Sequence, residues 1–273
     1  MRSHLVIPDT QVKPGVPTDH LRWIGRYIID RKPDVVVHLG DHWDMESLST
    51  YDRGKLQFEG RRYKADVAAG NAGLTLLDRS ITWHNQRDRK AGPYLPEKHL
   101  LLGNHEDRIR RAVEEHGWLD GMIGLDDLDT RDWQVHPFLE PVLIDGVAYA
   151  HYFANPMSGR PYGGQAITRL KQLGHSYCMG HQQTLEFATR FVLGKKQTGI
   201  VAGAAYLHDE DYKGPQGNAH WRGILVFHEV REGQFDLMEV SLDYLCRRYE
   251  GVSIGEFLKT KYPEQDGYLW RCD

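Results

Sequence analysis

The sequence predicts an α/β fold: two packed mixed β-sheets with helices on the outside. Three observations point to it. The first half runs apolar strand, amphipathic helix, apolar strand, the order that builds parallel sheets. The second half changes to short strands joined by turns rich in Gly and Lys. Five apolar runs each end in a residue able to bind a metal ion. Open α/β sheets carry their sites at the carboxyl ends of strands.

Each element follows from local pattern. Ser3 to Pro8 is a short apolar strand. Thr18 to Arg31 has apolar residues at Leu21, Ile24 and Ile28, a helical spacing, with Thr18 or Asp19 as N-cap. Asp34 to Leu39 is a strand buried on both faces, because Val35-Val36-Val37 is unbroken. Arg61 to about Arg87 is helical again, and Pro93 and Pro96 break the chain before the strand His99 to Leu102. Glu106 to Glu115 is a short helix with acidic residues in its first turn. Gly117 to Asp132 is irregular and acidic. Val142-Leu143-Ile144, Asp145-Gly146 and Val147 to Tyr152 form a hairpin, since Asp-Gly suits a type I′ turn. A helix over Gly163 to Leu173 precedes strands at Tyr177–Met179, Leu185–Leu193, Gly199–Leu207, Arg222–Val230 and Phe235–Leu242, and one weak helix, Ser253 to Leu258. There is no internal repeat or linker, so residues 1–273 read as one domain, with an inserted helical segment at about 46–97.

Composition narrows the class. The chain has 273 residues, 40% hydrophobic and 26% charged, ordinary for a globular protein. A formal net charge of -4 does not mark a nucleic-acid binder, although a local basic strip would suffice for one. Cys178, Cys246 and Cys272 are too few and too widely spaced for a zinc pattern or a disulfide framework, which suits a reducing compartment. No signal peptide or membrane-spanning run is present, so a cytoplasmic protein without a membrane partner is expected.

The five strand ends carry the chemistry. Asp9-Thr10-Gln11 closes Leu5-Val6-Ile7, and Gly40-Asp41-His42-Trp43-Asp44 closes the Val run. Gly103-Asn104-His105-Glu106 follows Leu100-Leu101-Leu102. His151 follows Val147 to Ala150, and Gly180-His181-Gln182-Gln183 follows Tyr177 to Met179. Divalent ions such as Mn²⁺, Fe²⁺ or Zn²⁺ accept mixed oxygen and imidazole donors. A carboxylate can bridge two of them at about 3.5–4 Å separation. Asp41, at a tight turn after a buried strand, is the natural bridge, Asp9 a second carboxylate, Asn104 a neutral oxygen donor, and His151 and His181 imidazole donors. His105, next to a donor, is placed to protonate a leaving oxygen, with Asp44 fixing its tautomer. Singly, Asp9 reads as a helix cap, His151 as a core histidine and His181 as a turn residue. Their joint order, each after a strand, is what points to one site.

That ordered set, Asp9-x-Gln11, Gly40-Asp41-x-x-Asp44, Gly103-Asn104-His105-Glu106, His151 and Gly180-His181-x-Gln183, resembles the calcineurin-like metallophosphoesterase superfamily, whose pattern is D-x-H, G-D-x-x-D, G-N-H-[DE], H, G-H-x-H. The resemblance spans residues 9 to 183 and implies a four-layer αββα sandwich. It also implies two divalent metal ions, Mn²⁺ foremost, with Mg²⁺, Fe²⁺, Zn²⁺ or Ni²⁺ as alternatives. One ion would be held by Asp41, Asn104, His151 and His181, the other by Asp9, Gln11, Asp41 and Gln183. It further implies His105 as the acid and Asp44 as its partner. Two departures stand out: Gln11 and Gln183 replace histidines that the family gives to one metal. Glutamine ligates more weakly and favours harder ions. Either that site holds a hard, weakly bound ion, or His208 or His220 supplies a donor, or one ion is tight and the other transient.

The expected activity is metal-dependent phosphoester hydrolysis, foremost of phosphodiesters in DNA, RNA or nucleotides, on a branch similar to bacterial and phage DNA-repair exonucleases. Met45 stands where the family's protein phosphatases carry a phosphate-gripping Arg, which favours a diester. Arg108 is near enough in sequence to reach a substrate phosphate, and His42 with Trp43 can flank a base. Basic and aromatic residues at Arg61 to Lys64, Trp83 to Lys90 and Tyr162 can hold an extended substrate. The competing expectations are a small-nucleotide phosphomonoesterase or pyrophosphatase, and a non-catalytic binding protein with one impaired metal site. Oligomeric state is left open.

Overall fold

A computed structural model describes residues 1–50, 54, 58–87, 92–210 and 213–265, the side chains of 215 and 265 excepted. The order is β1 (Arg2–Ile7), α1 (Asp19–Arg31), β2 (Val35–His38), α2 (Tyr63–Arg87), β3 (Glu97–Leu101), α3 (Asp107–Glu115), β4 (Gln134–His136), β5 (Val142–Ile144), β6 (Val147–Ala150), α4 (Ala166–Leu173), β7 (Tyr177–Met179), β8 (Leu185–Val192), β9 (Lys195–Ala202), α5 (Gly214–Asn218), β10 (Gly223–Arg231), β11 (Gln234–Ser241), α6 (Leu242–Glu250) and α7 (Ile254–Lys261).

Two mixed sheets form. One has the order β11-β10-β1-β2-β3-β4, the other β5-β6-β7-β9-β8. In the first, β1 to β4 run parallel and β10 and β11 are antiparallel additions. In the second, β6, β7 and β9 run parallel. Strand alternation divides the core. Leu5, Ile7 and Val36 face the helices, whereas Val6, Val35 and Val37 face the second sheet. The helix-side core gathers Leu21, Ile24 and Ile28 of α1, Leu74 and Leu77 of α2, and Leu245 and Leu258 of α6 and α7. The inter-sheet core joins Val6, Val37 and Phe227 to Tyr149, Tyr177 and Ile200. Helix α4 packs on the outer face, against β8 and β9. The α/β fold of two mixed sheets flanked by helices is therefore as expected.

Four local differences have physical reasons. β4 escapes the sequence pattern because Gln134-Val135-His136 is an edge strand with one apolar residue, itself exposed. β9 begins at Lys195, ahead of its apolar run, because its polar start pairs with the outer strand β8. α6 is an additional helix, opened by Ser241, whose hydroxyl accepts the Tyr244 N–H at 3.1 Å. The segment 46–97 is largely one 25-residue helix, α2, that packs on α1 and supplies the core. Residues 51–53, 55–57 and 88–91 of that segment, including Arg89 and Lys90, lie outside the described residues, as does Cys272. Cys178 and Cys246 are buried and free. No described helix is long and apolar enough to cross a membrane.

Candidate metal centre

All five predicted strand ends converge at one edge of the sandwich. Asp9, Asp41 and Asn104 follow β1, β2 and β3 of the six-stranded sheet; His151 and His181 follow β6 and β7 of the five-stranded sheet. One donor atom each from Asp41, His151 and His181 lies within 4.8 Å of the others. Asn104 completes this group: its Oδ1 is 2.9 Å from His151 Nε2 and 2.8 Å from His181 Nδ1. His151 Nε2 is also 3.3 Å from Asp41 Oδ2. His151 Nδ1 donates to the Leu39 carbonyl at 2.8 Å, so Nε2 is the nitrogen turned to the cluster. Metal-binding imidazoles are oriented in this way by a bond to the other nitrogen. Burial alone would lower His151, but Asp41 beside it outweighs that and carries it up to about 9. Burial and the His151 charge push His181 down to about 4. Burial opposes ionisation of Asp41, yet His105 and His151 hold it well below the usual carboxylate range. These four residues offer two nitrogens and two oxygens, a donor set that fits a borderline divalent ion.

The backbone holds the donors in uncommon conformations. Gln11, Asp41, Met45, His181 and Gln183 all have positive φ, between 39° and 68°. Each such non-glycine residue costs roughly 1–3 kcal/mol, and such strain persists where surrounding contacts enforce it. Glu106 enforces the conformation of Asp41. Its Oε1 accepts the N–H groups of His42 (2.6 Å) and Trp43 (3.0 Å); its Oε2 accepts those of Asp41 (3.0 Å) and Gly103 (2.7 Å). One buried carboxylate thus ties the loop after β2 to the loop after β3. Burial and the neighbouring Asp41 charge raise Glu106 to about 7. Gly103 is required by proximity: a Cβ there would lie 2.1 Å from Asp41 Oδ1. The same Oδ1 accepts the His105 N–H at 2.9 Å.

His105 stands beside the cluster, with Nδ1 2.8 Å from Asp44 Oδ1 and Nε2 3.7 Å from Asp41 Oδ2. The Nδ1 contact has the distance of an ion pair without hydrogen-bond direction. Burial would lower His105, but Asp41 and Asp44 raise it overall, against Arg108. Asp44 also pairs with Lys13 at 3.1 Å, and Lys13 continues to Glu210 at 2.9 Å. Burial opposes ionisation of Asp44, and Lys13 and His105 keep it well below its ordinary value. Of the two expected substrate contacts, Arg108 is engaged within the protein through one nitrogen and His42 is enclosed. Arg108 Nη1 is committed to the Asp44 carbonyl at 2.7 Å and the Met45 carbonyl at 3.3 Å, so it braces this segment. His42 is fully buried, and both its nitrogens are used. Gly40 N–H donates to His38 Nδ1, His38 Nε2 to Thr10 Oγ1, Thr10 to His42 Nδ1, and His42 Nε2 to the Gly70 carbonyl. Trp43 is equally buried and donates to Asn71, so neither ring reaches a substrate base.

The other expected donor group is arranged differently. Asp9 is buried; its Oδ1 accepts the His181 N–H at 3.0 Å and its Oδ2 lies 3.4 Å from Gln183 Nε2. Burial and the Asp41 charge push Asp9 up to about 6. Gln11 is buried with both amide atoms lacking a hydrogen-bond partner among the described residues. The Gln183 carbonyl oxygen, the atom that would ligate, accepts the Tyr206 hydroxyl at 2.8 Å and the Lys213 ammonium. His208 pairs through Nε2 with Glu210, and His220 meets Tyr206 and the Gly217 carbonyl, so these three ring nitrogens are engaged within the protein. With an ammonium on the Gln183 oxygen, these residues do not fit a second ion. Sequence reasoning missed Glu106 and Lys213. Glu106 was visible as an acidic residue opening α3, whereas Lys213 stands at the head of the short helix α5, whose sequence carries no apolar periodicity.

Fold and site together define an α/β protein with a buried Asp/His cluster able to bind metal. No family model and no curated protein matches the chain. A solved structure similar to it is 13% identical over 88% of this chain and 99% of its own, with a TM-score of 0.33.

Proposed function

We propose that the chain is a metal-dependent phosphoesterase acting foremost on phosphodiesters of nucleic acids or nucleotides. The observation that supports this is the juxtaposition of the Asp41, Asn104, His151 and His181 donors with His105, whose Nδ1 lies 2.8 Å from the Asp44 carboxylate. A divalent ion, Mn²⁺ foremost, would supply charge against phosphate oxygens and a water of lowered pKa there. The remaining work falls to side chains. Asp44 holds the His105 ring, so that Nε2 is the atom presented toward the cluster. His105 Nε2 donates its proton to the departing oxygen, the step that limits hydrolysis of esters with poor leaving groups. Lys13 and Arg108 keep Asp44 ionised and in place. Glu106 fixes Asp41 and Gly103, so the donors need little reorganisation as the reaction proceeds.

Met45 supports the diester preference: it is fully buried beside Asp44 and offers no cation to a monoester's additional charge. The test is a substrate panel with Mn²⁺-loaded protein: bis-p-nitrophenyl phosphate, p-nitrophenyl phosphate and single-stranded DNA. Turnover of the diester and of DNA is expected. Turnover of the monoester alone rejects the diester reading, and no turnover with any divalent ion rejects the enzyme.

A further inference from the structure

The donors after β1 and β7 pose a chemical problem. Two glutamines, weaker ligands than imidazole, face the place of a second ion, and the Gln183 oxygen already has two hydrogen-bond donors, the Tyr206 hydroxyl and the Lys213 ammonium. Lys213 Nζ also donates to Tyr206 Oη at 3.1 Å. Through Gln183, whose Nε2 faces Asp9 Oδ2 at 3.4 Å, the ammonium is one amide removed from the buried Asp9 carboxylate. Burial pushes Lys213 down to about 8, while Asp9 and Glu210 work to keep it charged.

The position of Lys213 is built. Arg222 is buried and stacks its guanidinium over the Tyr206 ring at 4.7 Å. It donates to the carbonyls of Tyr206, His208 and Asn218 and to Asp209. Asn218 in turn holds both ends of the Glu210 peptide: its Oδ1 accepts the Glu210 N–H and its Nδ2 donates to the Glu210 carbonyl, each at 2.9 Å. Glu210, before Lys213, and Asn218, after it, are therefore tied to each other. A divalent ion and an ammonium sharing this corner would repel each other in a low-dielectric setting.

We propose that the centre is mononuclear, one divalent ion held by Asp41, Asn104, His151 and His181, and that the Lys213 ammonium takes the place of a second ion beside Asp9 and Gln183 as a fixed charge for a substrate phosphate oxygen. The proposal rests on the metal-centre reading above and departs from the two ions that the resemblance implies. Lys213 is a phosphate-binding residue in this scheme, and Gln183 and Tyr206 position it. A lysine ammonium is suited to this as a compact point charge.

The test counts ions and measures phosphate binding separately. Metal-stripped wild-type protein is titrated with Mn²⁺ and followed by electron paramagnetic resonance and elemental analysis; inorganic phosphate is then titrated into the loaded protein by calorimetry. One Mn²⁺ per chain with an uncoupled mononuclear spectrum is expected. Lys213→Met should keep that stoichiometry and affinity while weakening phosphate binding at least tenfold, and Lys213→Arg should restore most of it. Two Mn²⁺ per chain with a coupled spectrum would overturn this proposal and leave the metal centre standing. No Mn²⁺ bound would overturn both. Unchanged phosphate affinity in a folded Lys213→Met protein would also overturn it. Because the ion count uses wild-type protein, it decides the matter even if a variant fails to fold.

Discussion

Glu106 Oε2 accepts the backbone N–H of Asp41 at 3.0 Å, and the same carboxylate takes three further N–H groups from His42, Trp43 and Gly103. Two loops from adjacent parallel strands are thus held by one side chain whose two oxygens are spent on backbone N–H groups. Glu106→Gln keeps the shape but turns an NH₂ group toward backbone donors. Leaving buried N–H groups unmatched costs roughly 1–3 kcal/mol. We expect urea denaturation to register a loss of that size, and Mn²⁺ affinity to fall with it. A variant as stable as wild type, with unaltered Mn²⁺ binding, would show that Glu106 is not the brace.

Gly103 tests the same brace from the other side. Its Cβ position lies 2.1 Å from Asp41 Oδ1, so Gly103→Ala must displace the Asp41 carboxylate or the β3 loop. We expect Mn²⁺ affinity, measured by calorimetry, to drop at least tenfold in a protein that retains its circular dichroism spectrum. Wild-type affinity would mean that the two loops can separate freely.

Ligand and acid should separate cleanly. His151→Ala removes a donor whose Nε2 faces both Asp41 and Asn104, and should abolish tight Mn²⁺ binding and turnover together. His105→Ala should leave Mn²⁺ binding near wild type and lower kcat by about 10²–10⁴, the usual contribution of a positioned acid. The loss should shrink for a substrate whose leaving group needs no proton. Full turnover of His105→Ala on an alkyl diester would remove His105 from the chemistry.

A buried histidine of α1 gives a pH prediction. His20 of α1 is buried with both ring nitrogens unpartnered among the described residues, and burial pushes it down to about 3. The unfolded chain binds its proton near pH ~6.5. Between these values the unfolded state holds the extra proton, so stability falls as pH falls below the unfolded value. Above it, this group contributes no slope. From pH 7 to pH 5 the contribution is about 2 kcal/mol, by linkage. Urea denaturation of wild type and His20→Leu at the two pH values should therefore show their stability difference moving by that amount in favour of the variant. A difference that stays constant would mean that His20 finds a proton acceptor in the fold.

Much of this was visible in one dimension because the relevant physics is local. Parallel strands buried on both faces must be apolar throughout, so Val35-Val36-Val37 was readable, and Asp145-Gly146 announced its turn, with both residues at positive φ. The donors were readable because each follows such a strand. What stayed hidden depends on long-range contact. His42 looks available in sequence, yet α2 brings the Gly70 carbonyl onto its ring. Arg108 looks like a free cation, yet the carbonyls of Asp44 and Met45 engage it. Lys213 meets Gln183, 30 positions earlier in the chain, while Arg222 and Asn218 bind the His208 and Glu210 carbonyls beside it. None of these follows from spacing.

Asp9 crosses the seam between the layers: its carboxylate takes the His181 N–H, and its backbone bridges to Ala204 just past β9. Half of the cluster is therefore borrowed from each sheet. Neither half of the polypeptide owns a complete set of donors, so a chain cut between β4 and β5 would have to reassociate before it could sequester an ion. Ion capture in this protein would thus report the docking of one slab on the other, and a mutation deep in the interface between them, remote from any ligand, should be felt first as a loosened grip on the cation.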